Sequence, residues 1–457
     1  MKHFVYSFSL VIFMGMFAGK AFAYDIEAVN ADGLKIYYNY INNGQELEVT
    51  QGNKAYSGTV NIPETVTYMN RTRNVTAIGM NAFNGCEYLY AVTLPSTLKT
   101  IGSSSFLLCK GLSSITIPDN VTDIKDYAFQ GCTGLTSVVI PNSVVTIGGN
   151  AFQNCKGLTS LTIGNSVKTI LSDAFAGCSK LTSVVIPNSV TFLGGYAFSG
   201  CGALVSATLS EGLTAISSHT FSSCYHLESV TIPNSVTSIE DNAFEYCEML
   251  SAVVIPENVT SIGKWVFSRC KSLISLTIGK SVESIGLGAF YECAGLRSIE
   301  IPGSVTSIGN MAFELCNLET VFSLIENPFK ITGKSDKNRC FSTNTYNNAT
   351  LHVPVGTLSK YKATTGWKDF LFNEEDLQNQ TGISQRQFAA LKIVNNQGVI
   401  TVLHAHKNAH IAVYAIDGHI EGSAWSDGCA TSVVTNLRQG EVAVVRIDGK
   451  TVKIVMK

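Results

Sequence analysis

Val121-Thr-Asp-Ile124-Lys-Asp-Tyr-Ala-Phe129-Gln-Gly-Cys132-Thr-Gly-Leu135-Thr-Ser-Val138-Val-Ile140-Pro141 is the stretch that decides the fold, because the chain repeats it. Cys86, Cys109, Cys132, Cys155, Cys178, Cys201, Cys224, Cys247, Cys270, Cys293 and Cys316 follow one another at a constant interval of 23 residues. A Phe stands three residues before each of them, from Phe83 to Phe313, and a Leu three residues after the first ten, from Leu89 to Leu296. Self-similarity at one fixed period of this size means a stack of small units, each touching only its neighbours.

The pattern inside one unit says how it is built. Phe, Cys and Leu at spacings of three fall on one face of a short helix or helical turn. Val138 and Ile140 alternate with Ser137 and Val139, the period of a strand. Pro141, lacking an N–H, stops that strand. Val144 and Ile147 bracket a second extended piece, and Gly148 supplies a turn. One such coil cannot cover its own apolar face, so coils stack and bury continuous ladders. The fold class expected is an α+β repeat solenoid of 23-residue coils. At strand spacing, eleven coils extend roughly 50 Å.

Equivalent cysteines in stacked coils point the same way, whereas a disulfide needs opposed Cβ vectors. Each repeat cysteine also lies between a core Phe and a core Leu, so it reads as a buried free thiol. Disulfide pairs remain the alternative for a secreted chain; metal sites are disfavoured because no CxxC or Cys/His pairing occurs. Cys340 and Cys429 are off-register, and a bridge between them stays open.

The whole chain has 457 residues, 32 Lys+Arg against 34 Asp+Glu, and a net charge of −2. Its 14% of charged residues falls well below the roughly 25% usual for soluble domains. Such a balance offers no basic footprint for nucleic acid or anionic lipid. Residues 1–23 have the layout of a secretory signal peptide, with Lys2 and His3, an apolar run over 4–17 and the small-x-small site Ala21-Phe22-Ala23. Tyr24 stands where a lipoprotein would need Cys. No later apolar run approaches the length of a membrane span.

The expected organisation continues with a β-rich N-terminal cap and degenerate repeat over 24–74 and the regular solenoid over 75–316. Degenerate repeats and a C-terminal cap follow over 317–372, where the register slips by one to Leu318. A polar linker is expected over 373–387, and a small all-β sandwich over 388–457, with strands at 392–394, 399–403, 411–414, 442–447 and 452–455 and turns at Asp417-Gly418 and Asp448-Gly449.

No metalloprotease, nucleophile-elbow, phosphate-loop or dinucleotide fingerprint is present. Asp173, Ser217 and His219 do not make a convincing triad, so no enzyme, cofactor or resident metal is expected. His404, His406 and His410 suggest either a metal site or, with more weight, incidental histidines on an exposed strand. Outward Ser and Thr columns (Ser114 to Ser229, Thr122 to Thr306) suit stacked parallel strands and keep them soluble, with a broad, weakly polar docking surface as the alternative. Variation between coils is more informative, because the ladder does not demand it. The position five before each Cys changes from coil to coil and includes Tyr127, Tyr196, His219, Trp265 and Met311. From Cys224 onward large and charged residues gather, and Tyr225, Tyr246, Trp265, Arg269, Tyr291 and Arg297 form the candidate ligand-binding set, as exposed Tyr, Trp and Arg are the usual interface anchors.

The Ala-Phe-x-x-Cys-x-x-Leu-x-x-Val-x-Ile-Pro consensus resembles the BspA-like leucine-rich repeats of secreted and surface proteins of Bacteroidetes and some protists. Departures are small: Gly164, Ser210 and Gly279 replace the Pro, Ala207 a core Val, Leu193 an Ile. The resemblance implies a secreted or surface-exposed, outer-membrane-associated binding protein, an adhesin engaging extracellular-matrix or plasma proteins or other bacteria. A glycan-recognition protein of an outer-membrane nutrient system and a non-binding scaffold are the alternatives. The pattern Val413-Tyr-Ala-Ile-Asp-Gly, then Leu437-Arg-Gln-Gly, then Gly449 to Lys457 resembles the C-terminal sorting domain of the type IX secretion pathway. Tyr is usual in that domain where Val442 or Val444 stands, and Cys429 is atypical.

Overall fold

A 23-residue coil of this protein has three edges: a long strand, a short strand and a run of turns. In the computed structural model the described residues are 24–377 and the segments 392–396, 399–403, 410–415, 419–425, 430–435, 437, 442–447 and 450–455. The expected signal peptide, the remainder of the expected linker from residue 378, His404, His406, Cys429 and the turns at Asp417 and Asp448 lie outside them.

Long strands pair in parallel, equivalent residue beside equivalent residue. Ser137 lies opposite Ser160, and Ser183, Ser206 and Ser229 follow in line. Short strands do the same, Thr146 opposite Thr169 and Ser238 opposite Ser261. This register stacks every core side chain on its own kind. From Phe83 to Phe313 successive rings lie 4.9 to 5.7 Å apart and within 9° of parallel. Tyr56 closes the ladder at one end and Phe341 at the other, with centroids at 4.7 and 5.3 Å. One hydrophobic core thus runs from Ile26 to Phe370 through about 13 turns.

The α+β expectation is corrected. Among the described residues the α-helices are Thr343–Asn348 and Leu358–Ala363, both in the closing unit, and the repeats hold strands and turns only. The reason lies in the backbone. Five residues and one residue before each Cys, the chain enters the left-handed region, as at Tyr127 (φ 61°) and Gly131 (φ 72°). These reversals prevent the i→i+4 bonds of a helix. Cys132 N–H instead donates to Phe129 O at 3.1 Å, while the N–H groups of Tyr127, Phe129 and Gly131 donate to Gly149, Ala151 and Gln153 of the next coil at 2.8, 2.7 and 2.8 Å. A spacing of three therefore keeps Phe, Cys and Leu on one face through consecutive turns. Gly148 is needed for close approach, since a Cβ there would meet the backbone N of Asp126 at 2.5 Å.

All twelve described cysteines are free and buried, Cys340 among them, while Cys429, its partner in the off-register bridge considered from sequence, lies outside the described residues. Each repeat thiol from Cys109 onward also donates to the carbonyl of the Phe 26 residues earlier, at 3.0 Å for Cys109 to Phe83 and 3.1 Å for Cys316 to Phe290. The cysteine column is therefore apolar filling with a weak donor attached.

At the N-terminus, antiparallel strands Ile26–Val29, Lys35–Ile41 and Glu46–Thr50 lead into the parallel stack through Arg71–Ile78. At the other end the long-strand sheet continues through Ser298–Ile301, Thr320–Ser323, Thr350–Pro354 and Phe372–Leu377. Ser298 pairs with Thr320, the one-residue slip seen at Leu318. Residues 373–377, expected as linker, are thus strand. Two antiparallel sheets follow: Lys392–Asn396, Val399–Leu403 and Ala430–Val434 in one, Ile420–Trp425, His410–Ala415, Val442–Ile447 and Lys450–Val455 in the other. Buried Arg446 donates to Leu276 O at 2.9 Å and to Ser275 Oγ, so Ser275 is buried where Ser229 in the same column is exposed. Among the described residues no helix is long and apolar enough to cross a membrane.

Candidate functional site

The turn edge is where coils differ. Both of its left-handed positions are costly for a side chain with a Cβ, by about 1–2 kcal/mol per residue, and glycine, Asn or Asp is the inexpensive choice. The position before the Cys follows this in five of the first six coils, with Gly85, Gly131, Asn154, Gly177 and Gly200, Leu108 at φ 59° being the exception. From the coil of Cys224 onward it does not: Ser223, Tyr246, Arg269, Glu292 and Leu315 all sit at φ between 57° and 62°. At the position five before the Cys, Tyr196, His219 and Trp265 are held at φ 59°, 59° and 56°. Bulky side chains are thus placed where the backbone disfavours them, and strain of this kind points toward function.

Stacking of coils brings several of them together. The Arg269 guanidinium lies over the Tyr246 ring at 4.8 Å, donates to the Tyr246 hydroxyl, and pairs through Nε with Glu292 Oε2 at 3.0 Å. Trp265 meets Tyr291 edge-on, with centroids 5.5 Å apart. Every member of this group is half-buried, so the rings are braced by the protein and still reach solvent. Tyr196 and His219 extend the row toward the N-terminus as a stacked pair at 4.2 Å. Burial lowers the His219 imidazole pKa, the Glu245 and Asp241 carboxylates opposing it, and among the described residues its buried Nδ1 has no hydrogen-bond partner.

Gly288 makes the Trp265 platform possible. It shares the left-handed conformation (φ 60°), and a Cβ on it would lie 2.3 Å from the indole ring. The Gly288→Ala variant is therefore expected to push the indole off its seat while leaving the buried ladder intact. A shifted Trp emission maximum with an unchanged far-ultraviolet circular dichroism spectrum would register this; an unshifted emission would contradict the seat.

The model of the BspA type leucine rich repeat region matches six copies over residues 52–182, 146–274 and 266–362, well over half of the chain. The chain belongs to the BspA-type leucine-rich repeat family. Among solved structures, this BspA-type chain is similar to a leucine-rich repeat protein from Bacteroides ovatus, with 28% identity and a TM-score of 0.51 over 75% of this chain and 98% of that one. A leucine rich cell surface protein from Faecalibacterium prausnitzii aligns over 75% and 98% at 26% identity and a TM-score of 0.46. The pneumococcal vaccine antigen PcpA aligns over 78% and 98% at 19% identity and a TM-score of 0.47. No curated protein matches.

Of the six residues singled out from sequence, Tyr246, Trp265, Arg269 and Tyr291 lie on the turn edge of the BspA-type repeats. Tyr225 and Arg297 do not join them. Tyr225 follows its Cys and is exposed, and Arg297 precedes a long strand, where it pairs with Glu319 at 3.3 Å. Glu292, Tyr196 and His219 belong to the edge and were not selected. The signal that finds them is the prevalence of Asn, Asp and Gly at the same repeat positions, which marks a left-handed site. Ser217 Oγ donates to Leu193 O at 2.6 Å, so it is not aimed at His219, and no triad assembles. The Thr columns are occupied structurally, Thr237 and Thr306 donating to carbonyls of the preceding coil at 3.1 Å each.

Proposed function

We propose that this protein is a non-catalytic binding protein, secreted or displayed at the cell surface, that captures an extracellular macromolecule on the turn edge between Tyr246 and Tyr291. The observation that carries this reading is the strained aromatic and Arg cluster itself, placed on a rigid, otherwise weakly polar solenoid. Braced Tyr, Trp and Arg lose little side-chain freedom on binding, which is why such residues dominate interface energetics. Family membership is consistent with an adhesin role toward host or bacterial proteins, which we assign to it, and export is the role we assign to residues 1–23. A sandwich-like sorting module is the role we assign to the C-terminal strands.

Retention of the chain on immobilised matrix proteins, measured beside a glycan array, tests the assignment. The Tyr246→Ala/Trp265→Ala variant is expected to bind its protein partner at least about 30-fold more weakly, the equivalent of 2 kcal/mol at a hot spot. Loss on glycans alone would move the function to glycan recognition, where Trp265 stacks on a sugar ring. Equal retention of wild type and variant would defeat the site.

A further inference from the structure

We propose that the C-terminal end of the solenoid carries a binding site for a divalent cation of the zinc type, formed by His352, Glu374 and Asp376. The site lies on the outward face of the long-strand sheet. One column of that face carries Thr208 and Thr231, and further along Val254 and Thr277. At the last rungs it changes character, and Glu300, Phe322, His352 and Glu374 stand side by side in register. Nothing in the ladder requires this change, because these side chains face away from the core.

Two local features aim the ligands. The Phe322 ring stacks on the His352 imidazole at 4.7 Å and 22°, fixing the plane of the ring. Pairing between the last two strands shifts after Val353, which opposes Glu375, while Pro354 opposes Leu377. Asp376 is the extra residue of this bulge, and bulges re-aim side chains. Released from pairing, its carboxylate reaches back to His352, with Nδ1 2.9 Å from Oδ2 and 3.0 Å from Oδ1. Glu374 Oε2 is 3.5 Å from the same nitrogen, and one donor atom from each residue lies within 4.8 Å of the others.

The separations from His352 Nδ1 to the two carboxylates suit a metal. With metal–ligand bonds of about 2.0–2.2 Å, neighbouring donors in a tetrahedral or octahedral shell lie roughly 2.9–3.5 Å apart. Two carboxylates match a divalent charge, and an imidazole nitrogen selects zinc-like cations over calcium and magnesium, which take oxygen donors. The carboxylate side chains are 61% and 50% exposed and the imidazole 14%, so an ion enters from solvent without opening the core. Three protein ligands leave the remaining positions to water.

Calorimetric titration of the tag-free full chain with zinc chloride tests the site, with Glu374→Gln/Asp376→Asn as the main variant, because both side chains are exposed and their loss spares the fold. His352→Gln is the second. Wild type is expected to bind one equivalent more than either variant, or to bind that equivalent at least tenfold more tightly, and to hold it against a hundredfold excess of calcium. Cobalt in place of zinc is expected to give a visible d–d absorption that both variants lack. Identical zinc isotherms for all three proteins, or displacement of zinc by equimolar calcium, would overturn the proposal.

Discussion

Raised from pH 8 toward pH 11, the solenoid is expected to unfold over little more than one pH unit. Burial pushes the thiols of the ladder upward, to about 11 for Cys86 and about 12 for Cys155, Cys201 and Cys316. Cys132, Cys178, Cys224, Cys247, Cys270, Cys293 and Cys340 are raised by the same cause. In the unfolded chain each returns to about 8.5. Above that pH the unfolded chain sheds protons that the folded chain keeps, so the stability these groups contribute is complete below it and lost as pH climbs. Each thiol removes about 1.4 kcal/mol per pH unit, and the eleven together about 15 kcal/mol, comparable to the whole stability of a domain. The buried phenols of Tyr38, Tyr56, Tyr346 and Tyr361 are raised as well and add to the slope at higher pH. Thiolate absorbance near 240 nm and the strand signal in circular dichroism, followed together, check this. Both are expected to change in one transition. Thiolate appearing below pH 9 with the strand signal intact would mean that the sulfurs are open to solvent.

That expectation depends on a feature the sequence displayed plainly. A constant interval leaves equivalent residues no choice but to stack, so the Phe, Cys and Leu columns and the slip at Leu318 are legible before any coordinates. The turn edge is not. A spacing of three is common to a helix and to consecutive turns, and only the recurrence of Asn81, Gly131, Asn150 and Gly177 at two fixed positions hints at left-handed backbone. The thiol-to-carbonyl bonds escape notice because they join residues 26 apart, not 23. Four of the six candidate site residues share the turn edge, because coil stacking makes neighbours of residues such as Tyr246 and Arg269. Tyr225 and Arg297 occupy other repeat positions, and no stacking moves a residue from one column to another. His352, Glu374 and Asp376 lie where the period fails, and their meeting depends on a bulge that no periodicity announces.

Phe221→Ala is the second change with a large expected effect. The ring is fully buried mid-stack, 5.7 Å from Phe198 and 5.6 Å from Phe244. Truncating a buried Phe costs about 3–5 kcal/mol, part of it the cavity that a rigid neighbourhood cannot close. In a linear array that loss acts on both interfaces of one coil, so it lowers coupling between the two halves as well as total stability. Wild type is therefore expected to melt as one unit, and the variant to show two transitions, with amide protection lost first around residues 198–244. Phe83→Ala removes the same ring near the end of the ladder, where Tyr56 and Phe106 flank it at 4.7 and 4.9 Å. There the array frays instead of dividing, and one transition at slightly reduced temperature is expected. Hydrogen exchange read coil by coil separates the two outcomes. If Phe221→Ala and Phe83→Ala lowered protection uniformly and equally, the nearest-neighbour account of this solenoid would fail, and its stability would have to be held globally.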